Sequence, residues 1–405
     1  MSVYLVATLD TKGAEAEFVR AELAAHGVEA RLVDTGCLGT PQVCADVSRE
    51  EVFAAAGTSL EEMVARSDRG EAVTRAAEGA CRIIRKAFGC GECSGVLSLG
   101  GSAGTTIGTA CMRALPLGVP KLMVSTLASG QVRQYVGDKD ILMMNSVVDI
   151  LGINRVSRLV LSQAARAMAG LVTLRAAEAG TGDRPLVAAT MFGVTTPCVE
   201  RAREVLEEAG FEVLVFHATG TGGQAMESLV REGVVSGVLD ITTTELADEL
   251  VGGMLSAGAA RLTAAGQLGV PQVVSVGALD MVNFHARDTV PAEFDGRQFY
   301  RHNENVTLMR TTVEENRSLG EEIGRKVAAA CGPSSVIIPL RGVSAIDRAG
   351  EPFDDEAARA ALFEGLRGER GVELTELDLH LNDPAFAEAA AGMLIELMTN
   401  QGDDS

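Results

Sequence analysis

The chain has 405 residues, and its 35 Lys and Arg against 55 Asp and Glu give a formal charge of −20. That length supports two domains with substantial cores, and so acidic a balance excludes a broad polyanion-binding surface, because nucleic acid and anionic membrane are held by clustered Lys and Arg. Tryptophan is absent and aromatics are only 4% of the residues, which argues against stacking platforms for single-stranded nucleic acid. Glycine numbers 45, so backbone amides, hydroxyls and a few cations are the expected means of recognition. No apolar run approaches the roughly 18 residues of a membrane span, and Met1 opens directly into a strand-like segment without a signal-peptide pattern. A soluble, cytoplasmic protein is expected. Cys90 and Cys93 form a C-x-x-C pair with no second pair at zinc spacing, so the eight cysteines read as structural or incidental thiols.

In chain order, the short apolar run Val3 to Thr8 predicts a first strand, Ala14 to His26 a helix, and Val28 to Val33 a second strand, a β-α-β unit. Leu60 to Arg66 predicts a short helix and Glu71 to Phe88 a longer one. The strand Gly95 to Leu99 then meets the glycine-rich turn Gly100 to Thr106, a helix of small residues from Ile107 to Ala114, and the strand Lys121 to Val124. A long helical stretch, Ile153 to Ala177, connects to a linker near Ala176 to Arg184, rich in Ala, Gly and Thr.

From Pro185 the pattern repeats. Leu186 to Thr190 matches Leu5 to Thr8, the helix Cys198 to Ala209 ends at Gly210 as the first ends at Gly27, and the Thr35-Gly36 turn returns as Thr219-Gly220. Gly95-Val-Leu-Ser-Leu99 likewise returns as Gly237-Val-Leu-Asp-Ile241, and Leu117-Gly-Val-Pro120 as Leu268-Gly-Val-Pro271. Landmarks in one order in both halves predict an α/β protein of two doubly wound, Rossmann-like three-layer domains related by internal duplication, residues 1–180 and 181–405. Ligands of such sheets lie beyond the carboxyl ends of the strands, where strand order reverses.

The loop Gly100-Gly101-Ser102-Ala103-Gly104-Thr105-Thr106 follows a strand and enters a helix. Its glycines let the backbone approach an anion, the helix amino terminus adds partial positive charge, and the hydroxyls of Ser102, Thr105 and Thr106 are further donors. It is neither a G-x-G-x-x-G fingerprint nor a Walker loop. Thr11 and Lys12 follow the first strand on the same sheet edge, and Ser125 and Thr126 follow the strand at Lys121. Asp138 and Asp140 are candidate ligands for a divalent ion beside a bound phosphate. In the second half, His217 ends a strand beside the glycine loop Thr219-Gly220-Thr221-Gly222-Gly223, a position suited to acid–base work on an anionic substrate. Thr243, Thr244 and Glu245 follow the next strand, Asn283 follows the strand Val273 to Val276 in the corresponding way, and His302 and Arg310 lie in a long polar segment expected to close over that site. Arg341, beyond the strand Ser335 to Leu340, is placed to clamp a carboxylate or phosphate. Neither a G-x-S-x-G elbow nor an H-E-x-x-H motif is present.

The blocks Leu5-Val-Ala-Thr-Leu-Asp-Thr-Lys12, Gly100-Gly-Ser-Ala-Gly-Thr105, Met143-Met-Asn-Ser-Val-Val-Asp149, Phe216-His-Ala-Thr-Gly-Thr-Gly-Gly223, Asp240-Ile-Thr-Thr-Thr-Glu245, Phe299-Tyr-Arg-His302 and Gly342-Val-Ser-Ala-Ile-Asp347 resemble the ATP-binding family of the tomato mosaic virus resistance protein. The resemblance runs over nearly the whole chain. It implies two Rossmann-like domains, a homodimer, and ATP in the amino-terminal domain on Thr11, Lys12, Gly100, Gly101, Ser102, Gly104, Thr105 and Thr106. It supplies no agreed reaction, and the plant member's inhibition of a viral replication protein is not carried over.

These readings combine into an ATP-binding protein, with Mg²⁺ on the phosphates, acting as an enzyme on a small anionic or carbohydrate-derived substrate between the domains. His217, Glu245 and Arg341 are its expected catalytic groups. Two alternatives stay open: a non-catalytic, nucleotide-dependent protein-binding module, and a nucleotide-independent isomerase, lyase or hydrolase on a sugar acid.

Overall fold

Strand β1 (Ser2–Ala7) is buried along its whole length, as expected of a central parallel strand covered on both faces. The computed structural model describes residues 1–130, 132–174 and 184–400. The expected linker near Ala176 to Arg184 lies, up to residue 183, outside the described residues. The chain divides into two compact units, Met1–Gly180 and Thr181–Ser405.

In unit 1, β1 is followed by α1 (Leu9–Ala25), β2 (Ala30–Asp34), α2 (Arg49–Ala55), α3 (Leu60–Arg66), α4 (Arg69–Gly89), β3 (Cys93–Gly100), α5 (Ser102–Arg113), β4 (Lys121–Ser125), α6 (Arg133–Val136), β5 (Leu142–Asn145) and α7 (Arg155–Thr173). All the strands are parallel, in the order β2-β1-β3-β4-β5. One face packs Leu5, Leu97 and Val124 against Ala16, Val19, Leu161 and Met168 of α1 and α7. The other packs Val6, Val96 and Met123 against Val52, Ala76, Ile84 and Cys111 of α2, α4 and α5. The result is three layers, with strand order reversing between β1 and β3. Helix α1 begins with a separate helical turn from Leu9, set off from the expected helix by the non-helical backbone of Lys12 (φ −128°, ψ 19°).

Unit 2 runs β6 (Leu186–Met191), α8 (Thr196–Glu208), β7 (Glu212–His217), α9 (Thr221–Arg231), β8 (Gly237–Thr242), α10 (Thr244–Val251), α11 (Ala264–Leu268), β9 (Gln272–Gly277), β10 (Met281–Phe284), β11 (Phe299–Arg301), β12 (Thr307–Arg310), α12 (Val313–Ala328), β13 (Ser334–Pro339), α13 (Glu356–Gly368), β14 (Glu373–Leu377) and α14 (Pro384–Asn400). Its main sheet is parallel in the order β14-β13-β9-β8-β6-β7. Counted within each unit, the first strands therefore take the same order in both. Between β9 and α12 the chain forms an antiparallel sheet, β10-β12-β11, two strands of which, β11 and β12, lie in the segment expected to close over the site. Among the described residues, no helix is long and apolar enough to cross a membrane.

Candidate functional site

The carboxyl ends of β1, β2 and β3 and the amino end of α4 enclose a cavity of about 280 Å³ in unit 1. It sits where the strand order reverses, the place an open α/β sheet leaves for a ligand. Gly100 and Gly104 form its floor at close quarters: a Cβ on Gly100 would lie 2.8 Å from the Gly104 Cα. Helix α5 starts at Ser102 behind Gly101, which supplies no side-chain cap. The amides of Ser102, Ala103 and Gly104 consequently have no acceptor among the described residues. These are the orphan donors of a helix start, and they carry its positive partial charge.

Cations and a hydroxyl complete this wall. The Lys12 Nζ donates to the Ile150 carbonyl and makes no ion pair among the described residues, and neither does Arg69, an exposed residue at the start of α4 on the opposite rim. Thr35 is 3% exposed, lines the cavity, and its Oγ1 has no hydrogen-bond partner. A buried polar atom without a partner is costly and calls for an explanation such as a ligand. Asp10 is a brace at the rim, accepting the Leu38 amide at 2.8 Å and the Gly39 amide at 3.1 Å. Burial, then Asp10, pushes the Cys37 thiol up, which disfavours a nucleophilic thiolate beside the cavity.

Of the cofactor contacts read from sequence, Thr11, Lys12, Gly100, Gly101, Ser102 and Gly104 line this cavity. Thr105 and Ser125 do not. Both are fully buried, their hydroxyls 2.7 Å apart, and Thr105 also donates to the Gly101 carbonyl at 2.8 Å. They fasten the loop from behind. Thr106 turns back onto the Ser102 carbonyl at 3.0 Å, and the Thr126 amide donates to the Gly100 carbonyl at 3.3 Å. Asp140 meets Lys121, at the start of β4, with a 2.6 Å ion pair, placing it at the opposite strand end from the glycine loop. Asp138 lies 3.9 Å from the Lys139 ammonium. Among the described residues, no group of three or more His, Cys, Asp or Glu side chains is arranged to hold a metal ion. Arg69 escaped sequence reading because no motif contains it, and Thr35 was read only as part of a repeated turn; the end of β2 and the start of α4 bring them to the cavity.

The second glycine loop is built differently. Gly220, at φ +83°, turns the chain where a Cβ would meet the Ser256 carbonyl at 2.7 Å. The Gly220 and Gly223 amides donate to Glu245 Oε1 at 2.6 and 3.0 Å. The other Glu245 oxygen accepts from Arg261 at 2.7 Å, and Arg261 also grips Asp240. Arg261, Asp240 and Glu245 are all buried. Burial raises the Glu245 pKa, against the Arg261 charge and these hydrogen bonds. Glu245 is thus held between the loop amides and Arg261, and it occupies donors expected to serve a substrate.

The other expected groups of unit 2 are dispersed. His217 is exposed, its ring stacked on Phe192 at 5.4 Å. Thr219 Oγ1 donates to the His217 carbonyl, Thr221 starts α9, and a Cβ on Gly222 would strike that same carbonyl at 1.9 Å. Thr243 donates to the Ser275 carbonyl at 3.0 Å, while Thr244 and Asn283 join the buried Asp248, whose carboxylate accepts Asn283 Nδ2 at 2.7 Å. Burial pushes the Asp248 pKa up to about 7. Arg310, expected over the site, is buried on β12 and holds the Phe353 carbonyl and Asp347. His302 is exposed just beyond β11. Arg341 is not a vacant clamp: it pairs with Asp378 at 2.7 Å on an exposed surface.

Models of an uncharacterised protein family, the UPF0261 N-terminal and C-terminal domains, match residues 1–177 and 184–398. The chain belongs to the UPF0261 family. It is similar to the UPF0261 protein of Clostridium tetani, 48% identical over 399 residues and covering 98% of both chains. The UPF0261 protein of Rhizobium meliloti is 49% identical over 393 residues, 96% of this chain and 97% of the other. The ToMV susceptible protein tm-1(GCR26) of Solanum lycopersicum is 43% identical over 342 residues, which are 82% of this chain and 45% of the tomato protein. The expected kinship with the tomato proteins is thereby confirmed.

Proposed function

We propose that unit 1 binds ATP, with its phosphates on the Ser102, Ala103 and Gly104 amides. The observation that carries this reading is one cavity holding three unpartnered helix-start amides, two cations without carboxylate partners and the unpartnered Thr35 hydroxyl. Each feature favours a multiply charged anion, and their convergence at a strand-order reversal favours a nucleotide. Lys12 and Arg69 would offset phosphate charge from opposite rims. Mg²⁺ would supply further neutralisation between phosphate oxygens, with Asp10 and Asp149 the carboxylates that line the cavity. The exposed Leu38 and half-buried Val73 on the rim offer apolar contact to a base.

A nucleotide-dependent binding role is favoured over turnover in unit 2, because Glu245 and the glycine-loop amides there already satisfy one another. The same reading takes the protein as a cytoplasmic homodimer whose units arose by internal duplication, which the shared strand order supports. The test is calorimetric titration with ATP and Mg²⁺, run beside a phosphate-release assay. Binding without release is the expected result, binding with release returns the enzyme reading, and no heat or thermal shift at millimolar ATP overturns the nucleotide site.

A further inference from the structure

Cys81 of α4 and Cys111 of α5 face each other with their sulfurs 3.9 Å apart. Among the described residues no other pair of thiols makes such a contact. Cys111 is fully buried, and Cys81 is only partly so, so an oxidant reaches Cys81 first. Its thiolate is favoured by the hydrogen bond with the Cys111 thiol and then by the nearby Arg113 and Arg85 guanidiniums, against burial. The two helices that carry these thiols also form the cavity walls: Arg69, Ala72 and Val73 belong to α4, and Ser102, Ala103 and Gly104 to α5.

We propose that Cys81 and Cys111 form a reversible disulfide that draws α4 onto α5 and narrows the unit 1 cavity. A disulfide needs its sulfurs about 2.05 Å apart, so the pair has to close by a little under 2 Å, a shift that side-chain rotation and a small helix slide can share. With hydrogen peroxide as oxidant, the Cys81 sulfur takes one peroxide oxygen as the O–O bond breaks, giving a sulfenic acid and one water. The Cys111 sulfur then attacks the Cys81 sulfur, the S–O bond breaks, and a second water leaves with the Cys111 proton. Both sulfurs are oxidised and one peroxide is reduced. A partly exposed thiol beside a buried resolving partner is the arrangement of a regulatory rather than a permanent disulfide.

The consequence for the cavity rests on its reading as a ligand site, while the cross-link itself does not. The test oxidises the full chain with hydrogen peroxide, alkylates the remaining thiols and maps disulfide peptides by mass spectrometry, followed by titration with ATP and Mg²⁺. The expected result is a Cys81–Cys111 peptide that dithiothreitol removes, a raised thermal midpoint, and roughly threefold weaker ATP binding in the oxidised form. Cys81→Ser should show neither the cross-link nor the peroxide effect. A cross-link elsewhere, or Cys81 stopping at sulfenic or sulfinic acid, overturns the pairing. A Cys81–Cys111 cross-link with unchanged ATP affinity overturns the coupling to the cavity. If reduced protein binds no ATP, the nucleotide reading fails, and a dithiothreitol-reversible Cys81–Cys111 peptide with its raised midpoint still supports the redox pair.

Discussion

Replacing Ser102 by proline removes both its amide hydrogen and its hydroxyl from the cavity wall, so Ser102→Ala, which removes the hydroxyl alone, is the matched control for the amide. Ser102 is the first residue of α5, a position where proline is tolerated because its missing N–H has no helical partner. Gly101 before it is extended (φ −82°, ψ −152°), outside the α region that a following proline disfavours. The Ser102 carbonyl still receives the Thr106 hydroxyl, so the helix start is preserved and apo stability should change by no more than about 0.5 kcal/mol. A hydrogen bond to a charged group is worth about 1.5–3 kcal/mol, and about 1.4 kcal/mol is tenfold in affinity. Ser102→Pro should therefore weaken ATP binding by roughly ten- to a hundredfold relative to Ser102→Ala, read by calorimetry with apo thermal unfolding as the folding control. Affinity within about twofold of Ser102→Ala, in a variant that melts normally, refutes the placement of phosphate on these amides.

Lys12→Ala should weaken ATP binding about tenfold, and Arg69→Ala, at the exposed rim, about threefold with a stronger salt dependence, both measured by titration at two ionic strengths. Arg261→Met should destabilise unit 2 by about 3–5 kcal/mol in urea unfolding, because Asp240 and Glu245 would keep buried charge without their partner; a loss below about 1 kcal/mol would contradict this. Asp248 and Asp280 are both pushed up to about 7, chiefly by burial, so the folded state binds more protons than the unfolded one. Their contribution is fully present below the ordinary carboxyl range and is lost as pH rises from about 4 through 7, making unit 2 more stable at pH 5 than at pH 8. Asp248→Asn should flatten that profile, since Asn283 can turn its unpartnered Oδ1 toward the new amide; an unchanged pH slope would sink the assignment.

Much of the parallel framework was legible because its strands are continuous apolar runs and its helices begin and end on recognisable residues. Leu60 to Arg66 forms the expected helix with a Ser59–Glu62 capping box, and the Gly100 loop enters a helix as read. Strand β5 was not read: Ile141-Leu-Met-Met144 is an apolar run, but it is short, begins directly after the polar Gly137-Asp-Lys-Asp140 turn, and forms an edge strand whose two ends are exposed. The antiparallel β10-β12-β11 sheet was missed for a different reason, since Arg310 and Asn283 are polar residues buried by pairing rather than by hydrophobicity. Similar glycine loops also end differently. The Gly100 loop follows the third strand of unit 1 and its helix-start amides face a cavity, whereas the Gly220 loop follows the second strand of unit 2 and its Gly220 and Gly223 amides are taken by Glu245.

Hydrogen–deuterium exchange with and without ATP and Mg²⁺ tests the central claim most directly, because it reads the amides themselves. Slowed exchange concentrated in residues 100–106 and 8–12 is the predicted result. Protection confined to unit 2, or none anywhere at millimolar nucleotide, would contradict the assignment of the unit 1 cavity.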